Sequence, residues 1–108
     1  MYMAWHKLFN SLAEAATAVP LTKTKLFIIQ DQRICLVHTA AGFFAVADAC
    51  PHLGESLSRG TTNYLNEVIC PWHSYRYNLS NGAECKYRTD SVKTYATKHE
   101  EDGLYVEV

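Results

Sequence analysis

Two short segments, Cys50-Pro51-His52 and Cys70-Pro71-Trp72-His73, restrict the folds open to this chain more than any other feature. Each offers one thiol and one imidazole, two donors that suit a transition metal. Neighbouring residues cannot surround a metal group from more than one side. If the two segments share such a group, the fold must present them as adjacent loops at one end of the molecule. A structural zinc ion uses the same donor types, but zinc knuckles pair like ligands, as in C-x-x-C or H-x-x-x-H. The mixed C-x-H and C-x-x-H spacing here argues against zinc without eliminating it.

The rest of the chain is scaffold for one domain. Its 108 residues fit a single fold of modest size. Apolar residues make up 48% of it, enough for one core, and the abundance of Val, Ile, Tyr, Phe and Thr favours strands. The net charge of −1 gives no basic excess, so neither nucleic acid nor an anionic membrane is an expected partner. No apolar run approaches the roughly 18 residues of a membrane span. The start, Met1 to Lys7, lacks the pattern of a secretory signal. Four cysteines are present, Cys35, Cys50, Cys70 and Cys85. Without a signal, reduced thiols or metal ligands are favoured over two disulfides, and the cytoplasm is the expected compartment.

The pattern of elements predicts an antiparallel all-β fold. Ala4 to Phe9 reads as a first strand. Ser11 can cap the helix formers of Leu12–Ala16, and Pro20 ends the stretch, so a turn of helix or a loop is expected there. Lys25–Gln30 and Arg33–His38 form a hairpin around a turn at Asp31-Gln32, with Ile34, Leu36 and His38 on one face and Cys35 and Val37 on the other. After Ala41-Gly42, Phe43–Ala47 delivers the chain to Cys50. The stretch from about 50 to 79 differs in character, with Gly54, Gly60, two prolines, the clustered donors and one short apolar strand, Glu67–Ile69. Ser91–Thr97 and Gly103–Val108 read as two closing strands joined at Glu101-Asp102-Gly103. The expected plan is a base of about 1–49 and 80–108 with a metal-binding subdomain of about 50–79 inserted between its strands.

Cys50-Pro51-His52-Leu53-Gly54-Glu55-Ser56-Leu57-Ser58-Arg59-Gly60 resembles the first loop of the Rieske family, C-x-H-x-G-x-x-L-x-x-G. Cys70-Pro71-Trp72-His73-Ser74-Tyr75-Arg76-Tyr77-Asn78 resembles the second, C-P-x-H-G-x-x-F/Y-D. The resemblance implies one two-iron, two-sulfide cluster per chain, with Cys50 and Cys70 on one iron and His52 and His73 on the other. Two thiolates and two neutral imidazoles leave the oxidised site without net charge, whereas four thiolates leave a dianion. An added electron is therefore better tolerated, and Rieske potentials lie at roughly −150 to +300 mV against about −400 mV for plant-type clusters. Both histidines should sit at the tip of the protein.

Three departures from the family pattern stand out. Respiratory members join the two loops by a disulfide, and here Glu55 and Trp72 occupy those positions. They also carry a serine that hydrogen-bonds a sulfide, and here Tyr75 replaces it, while Tyr77 matches a tyrosine that hydrogen-bonds a cysteine ligand. Fewer donors toward the sulfurs imply a potential at the low end of the Rieske range. Ser74 stands where the family has glycine, which is strained if that position needs a positive φ. Leu53 and Trp72 are expected to shield the cluster, form an apolar docking patch, or both. Cys35 is expected to be a small core residue and Cys85 an incidental thiol, with a disulfide between them or a thiol redox role as the lesser alternatives. The chain length resembles that of soluble Rieske ferredoxins. The implied function is one-electron transfer from a flavoprotein reductase to a terminal oxygenase or similar enzyme, by a carrier that is monomeric when free and not itself an enzyme. Two alternatives are an electron-relay subunit like the small subunit of nitrite reductase, and a non-catalytic iron or redox sensor.

Overall fold

A computed structural model describes residues 3–108; Met1 and Tyr2, where the reading of the N-terminus begins, lie outside the described residues. The elements in order are β1 (Trp5–Phe9), α1 (Leu12–Ala18), β2 (Thr24–Ile29), β3 (Gln32–Thr39), β4 (Gly42–Ala47), a 3-10 turn (Leu57–Arg59), β5 (Thr61–Thr62), β6 (Glu67–Ile69), β7 (Arg76–Asn78), β8 (Thr94–Tyr95), β9 (Thr97–Glu100) and β10 (Gly103–Glu107). They form three antiparallel sheets, ordered β1-β10-β9, β2-β3-β4-β8 and β5-β6-β7. No described helix is long and apolar enough to cross a membrane.

Local sequence explains most of this. Ser11 caps α1 by accepting from the Glu14 N–H at 3.0 Å, and the helix runs further than the single turn or loop expected. The β2–β3 hairpin pairs Ile29 with Gln32, so its turn is Gln30-Asp31, one residue earlier than the sequence suggests. Both turn residues take left-handed backbone, φ 51° and 65°, as the favoured two-residue hairpin turn requires. The expected single strand over Ser91–Thr97 is instead divided. β8 pairs with β4, and β9 pairs with β10. The chain changes sheets at Ala96, between the two residues that β4 pairs and the four that β10 pairs.

Strand β3 is the spine of the molecule. Ile34 and Leu36 enter one core, with α1, Phe9, Val19, Ala45, Leu104 and Val106. Cys35 and Val37 enter a second core, with Val46, Leu57, Val68, Tyr77, Leu79 and Val92. The alternation read from the sequence is the one observed, and both faces are buried. The second core joins the four-stranded sheet to the β5-β6-β7 sheet, and Cys50 and Cys70 lie at its edge.

Candidate metal centre

The first loop leaves β4 through Asp48. This carboxylate, 2% exposed, accepts from the Ser58 N–H at 2.8 Å and from the Ser56 hydroxyl, and lies 3.7 Å from the Arg33 guanidinium. The Leu57 N–H donates to the Asp48 carbonyl at 2.7 Å, and the fully buried Leu57 side chain plugs the second core. A side chain of this size contributes about 1.5–3 kcal/mol when buried. Between these anchors the chain reverses tightly, with the Gly54 N–H on the Cys50 carbonyl at 2.7 Å and the Cys50 N–H on the Glu55 carbonyl at 2.8 Å. Gly54 has φ +76°, which accounts for the glycine at that motif position. The glycine at position 60 has a different cause: a Cβ there would collide with the Ile69 carbonyl where β5 starts along β6.

The second loop joins β6 to β7. The Cys70 N–H donates to the Tyr75 carbonyl at 2.8 Å, and His73 and Ser74 turn the chain with left-handed φ of 64° and 57°. The position that the family fills with glycine does demand positive φ. Serine there bears the strain of a Cβ in left-handed backbone. Ser74→Gly is therefore expected to raise stability by about 0.5–1 kcal/mol, the strain relieved less the extra freedom of glycine in the unfolded chain. A denaturant titration of both holoproteins checks it.

These two loops bring the four predicted donors into two pairs, thiol beside thiol and imidazole beside imidazole. Cys50 and Cys70 are both 1% exposed, and their thiols lie close enough to interact. The imidazoles of His52 and His73 meet edge to face, with ring centroids 5.7 Å apart. His73 is exposed and His52 half-buried. Among the described residues, no three His, Cys, Asp or Glu side chains converge as ligands of a single ion. Burial pushes the Cys70 thiol up to about 11, with the Trp72 N–H acting in the opposite direction. Free of metal, that thiol stays protonated at neutral pH, and metal binding must displace its proton.

Around the donors, Tyr77 is fully buried, with its hydroxyl 3.1 Å from the Cys50 sulfur. Burial first, and the sulfur second, push this phenol well above its ordinary range, so it keeps its proton and is able to donate to a Cys50 thiolate. The Trp72 N–H points at the Cys70 sulfur from 3.5 Å. Tyr75 lies flat on His52, centroids 3.8 Å apart and planes within 4°. Leu53 and Trp72 are 59% and 51% exposed. With Gly54 and Glu55 they line an open depression of about 450 Å³.

Comparison with known proteins settles the lineage. The Rieske [2Fe-2S] domain profile matches residues 10–96. The chain belongs to the Rieske family. It is 37% identical over 76 residues, 69% of this chain and 72% of the relative, to the 3-phenylpropionate/cinnamic acid dioxygenase ferredoxin subunit of Photorhabdus laumondii. Among solved structures it is similar to the ferredoxin of carbazole 1,9a-dioxygenase from Nocardioides aromaticivorans, with a TM-score of 0.79, 16% identity and coverage of 98% of this chain and 97% of that one. A protein named as the small subunit of an NADH-dependent nitrite reductase from Mycobacterium tuberculosis superposes with a TM-score of 0.83 and 17% identity, covering 100% of this chain and 97% of that one. At such identities the structural likeness is one of fold.

Membership implies one [2Fe-2S] cluster per chain. The residues present fit it. His52 Nδ1 is one of two buried side-chain nitrogens without a hydrogen-bond partner among the described residues. A buried nitrogen left unpaired is costly. An iron ligand would satisfy it, beside two thiols and a second imidazole.

Sequence reasoning missed three residues here. Asp48, Glu84 and Arg88 carry much of the support for the loops. Asp48 two residues before the first cysteine, with a Ser-x-Ser at 56–58, was the one readable signal. Glu84 and Arg88 have the spacing of a helical ion pair but sit in a turn, where that spacing means little. Cys35 is fully buried, and burial followed by the nearby Asp48 charge pushes its thiol far above the ordinary range, the mark of an inert core residue. Cys85 is half-buried and donates to Glu84 at 3.2 Å.

Proposed function

We propose that this protein is a one-electron carrier whose cluster is held by Cys50, His52, Cys70 and His73, and that it passes electrons from a flavoprotein reductase to a terminal oxygenase or similar enzyme. The observation that carries this reading is the pairing of His52, whose buried Nδ1 lacks a partner, with the exposed His73 at the same tip. Once bound, the cluster supplies a site that takes up and releases single electrons. The protein's residues do the rest. Tyr77 donates toward one sulfur and the Trp72 N–H toward the other, stabilising charge on the thiolates. Leu53 and Trp72 form an apolar rim around the histidines, suited to brief contact with a partner.

In this reading residues 50–79 form the cluster-binding subdomain and about 1–49 and 80–108 the base. The cytoplasm, where thiols stay reduced, is the compartment proposed. Two irons and two acid-labile sulfides per chain, with an EPR signal of low average g after dithionite, are the expected result on the purified protein. Zinc without sulfide would overturn it. A chain that elutes as a monomer and is reduced by a flavoprotein reductase favours the free carrier over a fixed relay subunit.

Tyr77→Phe removes the hydroxyl 3.1 Å from Cys50 without changing the ring. A bound cluster would lose one donor toward the Cys50 sulfur, so the midpoint potential is expected to fall by tens of millivolts. A redox titration of the two holoproteins measures it.

A further inference from the structure

The ring of Tyr75 has two occupied faces. His52 lies parallel to it at 3.8 Å, and the Arg88 guanidinium carbon lies 3.8 Å from the same centroid. Two groups at that height cannot share one face, so the phenol is sandwiched between imidazole and guanidinium. Behind Arg88 stands Glu84, which is 1% exposed. Its carboxylate accepts from Arg88 Nε at 3.0 Å and from the terminal guanidinium nitrogen at 2.6 Å. It also accepts from the backbone N–H groups of Arg88 and Lys86, at 2.8 and 3.2 Å, and from the Cys85 thiol at 3.2 Å. Tyr87, with φ 54°, makes the turn that lets residue 88 fold back on residue 84. The Arg88 hydrogen bonds hold the Glu84 carboxyl far below the usual carboxylate range, so it stays ionised.

The ion pair therefore has a fixed direction. Its negative end is buried in the 84–88 turn, and its positive end rests on the ring that covers His52. A guanidinium is planar and permanently charged, so it can both stack and bind the carboxylate through a fork, which an ammonium cannot do. We propose that Arg88 is a positioning residue for electron transfer: clamped by Glu84, it holds Tyr75 flat against His52 and sets a fixed positive charge beside the histidine side of the cluster, raising its reduction potential. A positive charge nearby favours the form carrying one more electron, and the compensating carboxylate lies further away. The inference rests on the ligand set proposed above.

The test compares wild-type, Arg88→Gln, Arg88→Lys and Lys86→Gln holoproteins by redox titration at one pH, with iron and sulfide content and EPR spectra of the reduced state. Arg88→Gln is expected to lower the reduction equilibrium constant about tenfold, or about 59 mV for one electron, and to shift the EPR g values. Arg88→Lys keeps the charge without the flat fork, and its midpoint should lie between the two. Lys86→Gln removes a charge from the same turn without touching the stack, and should match wild type. An Arg88→Gln midpoint equal to or above wild type overturns the proposal, as does an equal fall in Lys86→Gln. Should Arg88→Gln fail to hold a cluster, Arg88→Lys decides: a midpoint below wild type supports the proposal and one at or above it overturns it. A wild-type chain without two irons and two sulfides overturns the ligand set and the inference together. A normal wild-type cluster with an unmoved Arg88→Gln potential overturns the inference alone.

Discussion

A His52→Ala chain is expected to emerge colourless, with under one iron per chain and no EPR signal after dithionite. The substitution removes one of the four proposed ligands, and methyl in place of imidazole leaves one iron short of a nitrogen donor. It also removes the platform on which Tyr75 lies, so the second loop loses its stacking partner along with the metal. Because a cofactor bound only by the folded state stabilises that state by mass action, the variant should also melt at a lower temperature. His99→Ala is the control. His99 is exposed on β9, in the sheet with β1 and β10, and its loss should leave colour, iron content and melting unchanged. A His52→Ala protein that keeps two irons, two sulfides and the wild-type spectrum would remove His52 from the ligand set.

Asp48→Ala is expected to cost about 2–3 kcal/mol and to make the cluster labile. The carboxylate is 2% exposed and ties three parts of the chain together: Ser58 through its N–H, Ser56 through its hydroxyl and Arg33 through its charge. Alanine leaves the Ser58 N–H without an acceptor, and an unpaired buried donor costs about 1–3 kcal/mol on its own. For a domain of this size that corresponds to a fall in Tm of about 9–13 °C. The loop would be freed at its root while Leu57 still held its far side, so Cys50 and His52 would wander relative to Cys70 and His73. Thermal unfolding followed by circular dichroism gives the stability, and the rate of iron loss to a chelator gives the lability. Asp48→Asn should lose less, since its amide oxygen can still accept from Ser58. Equal effects from both substitutions would locate the cost in the charge facing Arg33 rather than in the hydrogen bonds.

What could be read in the sequence follows the range of the forces involved. Alternation along 34–38 assigned Ile34 and Leu36 to one face and Cys35 and Val37 to the other, because side-chain direction in a strand is a local matter. The glycines at 54 and 60 and the leucine at 57 were visible as a pattern, but their reasons were not. One supplies positive φ, one makes room for the Ile69 carbonyl, and the leucine fills a core built from distant strands. The split at Ala96 was hidden, since nothing within Ser91–Thr97 announces that its two ends belong to different sheets. The ligand-bearing loops were legible because the donors' chemistry marks them. Their supports were not, because Asp48, Glu84 and Arg88 are ordinary charged residues until folding buries two of them and lays the third on Tyr75.

The double-sided burial of β3 has one more consequence. In a strand with a wet face and an oily face, sliding by a single position is punished at once, because polar groups would be driven inward. Here sliding would merely exchange Ile and Leu for Cys and Val, so greasiness offers little protection against misalignment. Correct alignment must be enforced at the bends, by the left-handed pair Gln30-Asp31 at one end and the tight return from Thr39 to Gly42 at the other. One residue inserted into either bend would leave a chain that satisfies its oily surfaces yet sends Cys50 off on the wrong side.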